Sequence, residues 1–179
     1  NNGSYVDKAV EYSVDDTLQN GRGTALSDIN YNGDLDIIVG NWNGFHRIYS
    51  QAAGTFMDQS TFEFREPTRI RTIISADFDN DGYDEIFLNN IGQPNKLFRI
   101  LDENRLEELE LAEALESSGL GTGAAVADLN GDGILELLVA HGESAPQPLS
   151  LFSAAIDGNF RYLRIEPRNI YNAPARGAT

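Results

Sequence analysis

One nine-residue stretch occurs three times. DINYNGDLD begins at Asp28, DFDNDGYDE at Asp77 and DLNGDGILE at Asp128, at intervals of 49 and 51 residues. Each copy is entered by a run of small residues ending in Asp (GTALSD, TIISAD, GAAVAD). Each is left by an apolar run: IIVGN from Ile37, IFLNN from Ile86 and LLVAH from Leu137. A second marker keeps the same register: GSYVD at Gly3, GTFMD at Gly54, NRLEE at Asn104 and GNFRY at Gly158. The first three markers precede the next loop by 25, 23 and 24 residues. Two markers in one register make coincidence a poor account. A chain built this way folds as structural repeats that pack on their neighbours.

A period near 50 residues with several short apolar runs suits an all-β architecture, the blade of a β-propeller. Four strands of about 5–6 residues joined by connections of about 4–6 fill that length. The runs are rich in Ile, Val, Phe and Leu and are separated by Gly, Asn and Asp turn signals. NWNGFHRIYS shows one such turn, with Asn43-Gly44 at its tip. The segment NRLEELELAEALESS (104–118) is full of helix formers. Register nevertheless places its start on an outer strand, followed by a loop or a short helical turn. Three loop-bearing copies and a leading fragment give about three to three and a half four-stranded antiparallel blades. Closed propellers have four to eight. The chain therefore reads as part of a longer ring, with self-association to close it as the other way to cover open strand edges.

Composition narrows the function. The net charge of −15 lacks the footprint of a nucleic-acid binder or of a protein drawn to anionic membranes. No run approaches the roughly 18 apolar residues of a membrane span, so no membrane insertion is expected. Cysteine is absent, which excludes disulfides and thiol chemistry. The chain opens without Met or a signal-like run, as a mature or excised product would.

The acidic loops ask for a cation. Like charges about 4 Å apart repel by roughly 1 kcal/mol in water and about 4 kcal/mol near a protein surface, and DFDNDGYDE holds five acids in nine positions. Ca²⁺ takes about six to eight oxygen ligands from carboxylates, amides and backbone carbonyls. Donors at positions 1, 3, 5, 7 and 9 of each loop, with Gly at position 6, supply such a shell. They are Asp28, Asn30, Asn32, Asp34 and Asp36 in the first loop. In the second they are Asp77, Asp79, Asp81, Tyr83 and Glu85, and in the third Asp128, Asn130, Asp132, Ile134 and Glu136. Asp34, Tyr83 and Ile134 would donate backbone carbonyls, giving up to three Ca²⁺. An EF-hand is rejected, because its twelfth position requires Glu and here it is Val39, Leu88 or Val139. No His or Cys joins the set, which argues against zinc and copper. Ligand carboxylates number four in loop two, three in loop three and two in loop one, so affinity should fall in that order.

At these residues the chain resembles the integrin α-subunit type of calcium-binding propeller repeat, the FG-GAP and VCBS repeats. The stretches DINYNGDLDIIVGNWNGFHRIY, ADFDNDGYDEIFLNNIG and HGESAPQPLSLF are similar to the cartilage acidic protein family, and APARGAT resembles the approach to that family's C-terminal ASPIC/UnbV domain. The resemblance implies a fragment of a seven-bladed propeller over 1–166, with its calcium loops at 28–36, 77–85 and 128–136. Residues 167–179 would begin the ASPIC/UnbV region. It further implies a secreted, extracellular interaction module rather than an enzyme. Its partner would be an extracellular or cell-surface protein, or a glycan. No RGD tripeptide occurs, only RGT at 22–24 and RGA at 176–178, so adhesion through that motif has no support.

Competing signals are weak. GLGTGA (119–124) lacks the strand and helix of a dinucleotide turn and leads into the third loop. HGES (141–144) lacks a nucleophile elbow. Trp42 and His46 flank a hairpin tip and read as packed rim residues, with a partner-contacting aromatic as the alternative. The runner-up function is a carbohydrate-binding or carbohydrate-cleaving propeller using Trp42, Tyr31 and Tyr83, but its acids are already accounted for as metal ligands.

Overall fold

A computed structural model describes residues 3–102, 105–143, 145–154 and 167–173. The first sheet contains β1 (Gly21–Ser27), β2 (Asp36–Asn41), β3 (Arg47–Ala52) and β4 (Thr55–Asp58) in sequential antiparallel order. The second repeats it with β5 (Ile70–Ala76), β6 (Glu85–Asn90), β7 (Lys96–Asp102) and β8 (Arg105–Glu108). The third holds β9 (Gly121–Ala127), β10 (Glu136–His141) and β11 (Ser150–Ser153) among the described residues. The GNFRY marker at Gly158 and the boundary expected at 166 lie outside them. No described residue is α-helical. The helix-forming stretch resolves into β8 and one 3₁₀ turn, Ala112–Leu115.

Two apolar layers join the sheets, and β6 explains how. All six of its residues are buried. Side chains alternate across a strand, so Ile86 and Leu88 join Ile38, Ile48, Phe64, Ile70 and Phe98 in the layer between sheets one and two. Phe87 points the other way, to Leu137, Val139 and Ala114. Each fully buried Ile, Leu or Phe contributes about 1.5–3 kcal/mol. The first strands of neighbouring sheets approach closely. A Cβ on Gly23 of β1 would lie 2.8 Å from the Ile73 backbone nitrogen of β5.

The leading marker departs from expectation. GSYVD keeps the register of GTFMD, which lies on β4, yet residues 3–20 carry no strand and Tyr5 and Val6 are exposed. Among the described residues no strand pairs with residues 3–20. Local bonds such as Val14 N–H to the Ala9 carbonyl (2.9 Å) take their place.

The strand ends define two rims. The acidic loops join β1 to β2, β5 to β6 and β9 to β10. At the opposite ends of those strands a polar network links the first two sheets. Asn41 N–H donates to His46 Nδ1 at 3.0 Å, His46 Nε2 lies 3.0 Å from Thr68 Oγ1, and Thr68 Oγ1 donates to Asn90 Oδ1 at 2.7 Å. In sheet two, Asn95 takes the role of His46, its Oδ1 accepting from Asn90 N–H at 2.8 Å.

Candidate metal centre

The three loops share one hydrogen-bond scheme. The carboxylate at position 1 accepts from the N–H groups at positions 5 and 6: Asp28 from Asn32 and Gly33, Asp77 from Asp81 and Gly82, Asp128 from Asp132 and Gly133, all at 2.8–3.1 Å. Position 3 accepts from position 5, so Asn30 holds Asn32 N–H, Asp79 holds Asp81 N–H and Asn130 holds Asp132 N–H. Position 5 accepts from position 7, so Asn32 holds Asp34 N–H, Asp81 holds Tyr83 N–H and Asp132 holds Ile134 N–H. These are Asx turns, in which a side-chain oxygen takes a backbone N–H two residues on. The glycines at position 6 have φ near 90°, a conformation other residues resist.

Position 9 closes each loop. Asp36, Glu85 and Glu136 begin β2, β6 and β10, and all are buried. One oxygen of each accepts the N–H at position 2: Ile29 for Asp36, Phe78 for Glu85 and Leu129 for Glu136, at 2.8–3.0 Å. The second oxygen differs. In Asp36 it accepts Gln51 N–H at 2.6 Å, and in Glu136 it accepts Asn130 Nδ2 at 3.0 Å. In Glu85, Oε1 is buried with no hydrogen-bond partner. Burial pushes the Glu85 carboxyl up to about 7, opposed by the Phe78 N–H and reinforced by the charge of Asp79.

That orphan oxygen bears on a cation. Asp77, Asp79 and Glu85 each offer an oxygen, and the three oxygens lie within 4.8 Å of one another. Oxygens on a common Ca²⁺ at about 2.4 Å can be at most about 4.8 Å apart, so the spacing fits one ion and the donor type fits Ca²⁺. It is the one acidic group of this kind among the described residues. Asp81 stays outside it, its Oδ1 holding Tyr83 N–H. Loops one and three carry Asn at position 3 and bring fewer carboxylates together.

Arg99 was not legible as a site residue. Its guanidinium pairs with Asp79, and its Nε lies 3.5 Å from Glu85 Oε1. The register shows what is unusual about it. Tyr49, Phe98 and Phe152 pair with Ile37, Ile86 and Leu137, so the next positions, Ser50, Arg99 and Ser153, are equivalent. Only an alignment of the runs IYSQ, LFRI and LFSA would have exposed it. In loop one, Ser50 Oγ instead accepts from Asn30 Nδ2 at 2.7 Å.

The loops also touch one another. Ser27 and Ser75 donate to Asp84 Oδ2 at 2.7 and 3.1 Å, which ties β1 to loop two. Tyr31 and Tyr83 meet edge-on with ring centroids 4.6 Å apart. Asn80 Nδ2 donates to the Gly133 carbonyl at 2.9 Å, joining loop two to loop three. The three loops form one continuous rim.

Comparison with known proteins accords with this geometry. The model of the FG-GAP-like repeat matches residues 28–88 and 77–139, each match running from one loop to the strand after the next. The chain is 45% identical to mouse cartilage acidic protein 1 over 189 aligned residues, covering 99% of this chain and 29% of that protein. It is 46% identical to the human protein and 45% identical to that of Xenopus tropicalis, covering 98% of this chain in both cases. It thus spans under a third of the length of these relatives. The repeated loops, the repeated four-stranded sheets and the matched segments agree: this chain belongs to the family of FG-GAP-like repeat proteins.

Proposed function

We propose that the chain is a calcium-binding segment of an extracellular β-propeller that serves as a non-enzymatic interaction module. The observation carrying this reading is the convergence of Asp77, Asp79 and Glu85, with Glu85 Oε1 buried and making no hydrogen bond. Glu85 Oε1 has Arg99 Nε as its cationic neighbour at 3.5 Å, so with Asp77 and Asp79 beside it the cluster keeps a net negative charge for Ca²⁺ to neutralise. Asp77, Asp79, Asp81, Glu85 and the Tyr83 carbonyl would hold one ion. The sets Asp28, Asn30, Asn32, Asp34 (carbonyl), Asp36 and Asp128, Asn130, Asp132, Ile134 (carbonyl), Glu136 would hold two more. Bound Ca²⁺ supplies charge neutralisation and rigidity at the joints between first and second strands, and no chemistry on a substrate.

Kinship with cartilage acidic protein 1 supports an extracellular setting, where Ca²⁺ is plentiful, and a protein or glycan partner. It also supports residues 1–166 as propeller and 167–179 as the start of an ASPIC/UnbV region. Calorimetry with CaCl₂ and thermal melts in Ca²⁺ and in EDTA test the reading. A ligand specific for the folded state raises stability by about 2.7 kcal/mol at a hundred times its Kd, so the melt should move up by several degrees in Ca²⁺. Identical melts would end the calcium assignment.

A further inference from the structure

We propose that the rim opposite the acidic loops carries a carboxylate-docking point, built by Arg22, Trp42 and Arg71, for an acidic peptide segment of a partner protein. The three sheets share an irregularity there. Gly21 pairs with Asn41 and Gly23 with Gly40, so Arg22 bulges out of β1. Ile70 pairs with Asn90 and Thr72 with Asn89, so Arg71 bulges out of β5. Thr122 occupies the same place in β9. A bulge re-aims the extra side chain, and in the first two sheets that side chain is arginine.

Both arginines are aimed at one ring. The guanidinium carbon of Arg71 lies 4.5 Å from the Trp42 ring centroid and that of Arg22 lies 5.8 Å from it. An indole face holds guanidinium groups while leaving their N–H edges free for a planar carboxylate. Glu143 already offsets the charge of Arg71, so the charge left for an incoming carboxylate to meet at this ring is that of Arg22. In a chain of net charge −15, Lys8, Arg47, Arg65, Lys96, Arg99 and Arg105 each pair with an acid on their own sheet or its flanking segments. Arg22 is exposed and, like Arg69, pairs with no carboxylate among the described residues; of the two, only Arg22 lies over the Trp42 ring. Arg71 pairs with Glu143, which reaches across from beyond β10, and its Nε is buried without an acceptor. Glu143 thus shows which chemistry this pair of cations accepts, and engages only one of them.

The site stands apart from the acidic rim by the length of β1, about 20 Å. That exceeds the Debye length of about 8 Å at physiological salt. A short acidic segment therefore meets the local positive charge, whereas a long polyanion meets the chain's net negative charge.

Fluorescence anisotropy of the full chain with fluorescein-labelled hexaglutamate, at low salt and with Ca²⁺ held at one fixed concentration, tests the assignment. Saturable binding is expected, with Arg22→Gln weakening it about tenfold. Glu143→Gln should strengthen it about threefold by releasing Arg71, whereas the charge-matched exposed change Glu63→Gln should not. Hexaglutamate binding that is absent, that ignores Arg22→Gln, or that responds equally to Glu143→Gln and Glu63→Gln overturns the proposal. So does a heparin hexasaccharide that binds more tightly with the same dependence on Arg22, since the site would then read sulfated glycans.

Discussion

Arg99 Nε stands 3.5 Å from the buried Oε1 of Glu85, while the same guanidinium pairs with Asp79. A fixed positive charge therefore rests on two of the three acids that converge in loop two. Counting carboxylates ranked loop two first for Ca²⁺. Including Arg99 brings its net charge level with that of loop three, and the ordering from sequence loses its basis at the top.

Replacing Arg99 by Ser, the residue at the equivalent positions 50 and 153, should have two opposite effects. Removing a cation a few ångströms from the site should tighten Ca²⁺ binding at loop two by about tenfold, or about 1.4 kcal/mol. The metal-free protein should lose about 1–3 kcal/mol, because Glu85 is left buried and unpaired. Calorimetry gives the first and urea unfolding in EDTA the second. Weaker Ca²⁺ binding in the variant would show that Arg99 supports the ligands from outside.

Glu85→Gln should reverse those signs. With its folded value pushed up to about 7 from 4.5, Glu85 favours the metal-free fold fully below pH about 4.5, and that contribution is lost as pH rises through about 7. At pH 8 the charge is a burden, and its removal should stabilise the metal-free protein by about 1–3 kcal/mol. Loss of a carboxylate ligand should cost Ca²⁺ affinity at least about tenfold. Urea midpoints in EDTA at pH 5 and pH 8 measure the first effect. A variant less stable at pH 8 would mean that the buried charge is already compensated.

His46 offers a separate titration, away from the metal loops. Burial lowers its value to about 4, with Lys96 adding to the effect. Unfolded His binds its proton near 6.5, so stability is complete above that pH and declines as pH falls toward 4, by about 1.4 kcal/mol per unit. Protonation would also put a hydrogen on Nδ1, which now accepts from Asn41 N–H. Asn95 performs the same acceptance in sheet two without titrating. His46→Asn should therefore flatten the stability profile between pH 6.5 and 4. A slope equal to that of the unmodified chain would assign the acid sensitivity elsewhere.

The parts legible in the sequence were those encoded locally. Small-residue runs, Asx-turn loops and apolar runs follow one another along the chain, so strands β1, β2, β5, β6, β9 and β10 and the loops between them fell where the repeat placed them. Asp36, Glu85 and Glu136 were legible as the last donor of each loop, but their burial was not, because it depends on the sheets that pack over them. Arg99 was hidden because it reaches the loop from a different strand. Asp84 and Asn80 were hidden because their partners Ser27 and Gly133 belong to neighbouring sheets. The GSYVD marker shares the register of GTFMD but not its structure, because among the described residues no strand pairs with it.

Sheet-to-sheet packing is tested at two equivalent glycines. Gly23 and Gly123 follow the bulge in β1 and β9, with Thr72 at that place in β5. A Cβ at Gly23 would meet the Ile73 nitrogen at 2.8 Å and two Thr72 backbone atoms at 3.2 Å. Backbone cannot rotate away, so Gly23→Ala must push β1 from β5 and loosen the layer around Ile38, Ile70 and Ile73. Overpacking of this kind costs about 1–3 kcal/mol, a fall in Tm of about 2–10 °C in a chain of this size. A Cβ at Gly123 would meet nothing within 4 Å. Gly123→Ala should leave Tm unchanged or raise it by a degree or two, since alanine narrows the unfolded ensemble. Paired melts of the two variants measure the difference directly. Equal losses at both positions would mean that β9 is covered by another element as tightly as β5 covers β1, and equal tolerance would mean that the first two sheets are not seated as described.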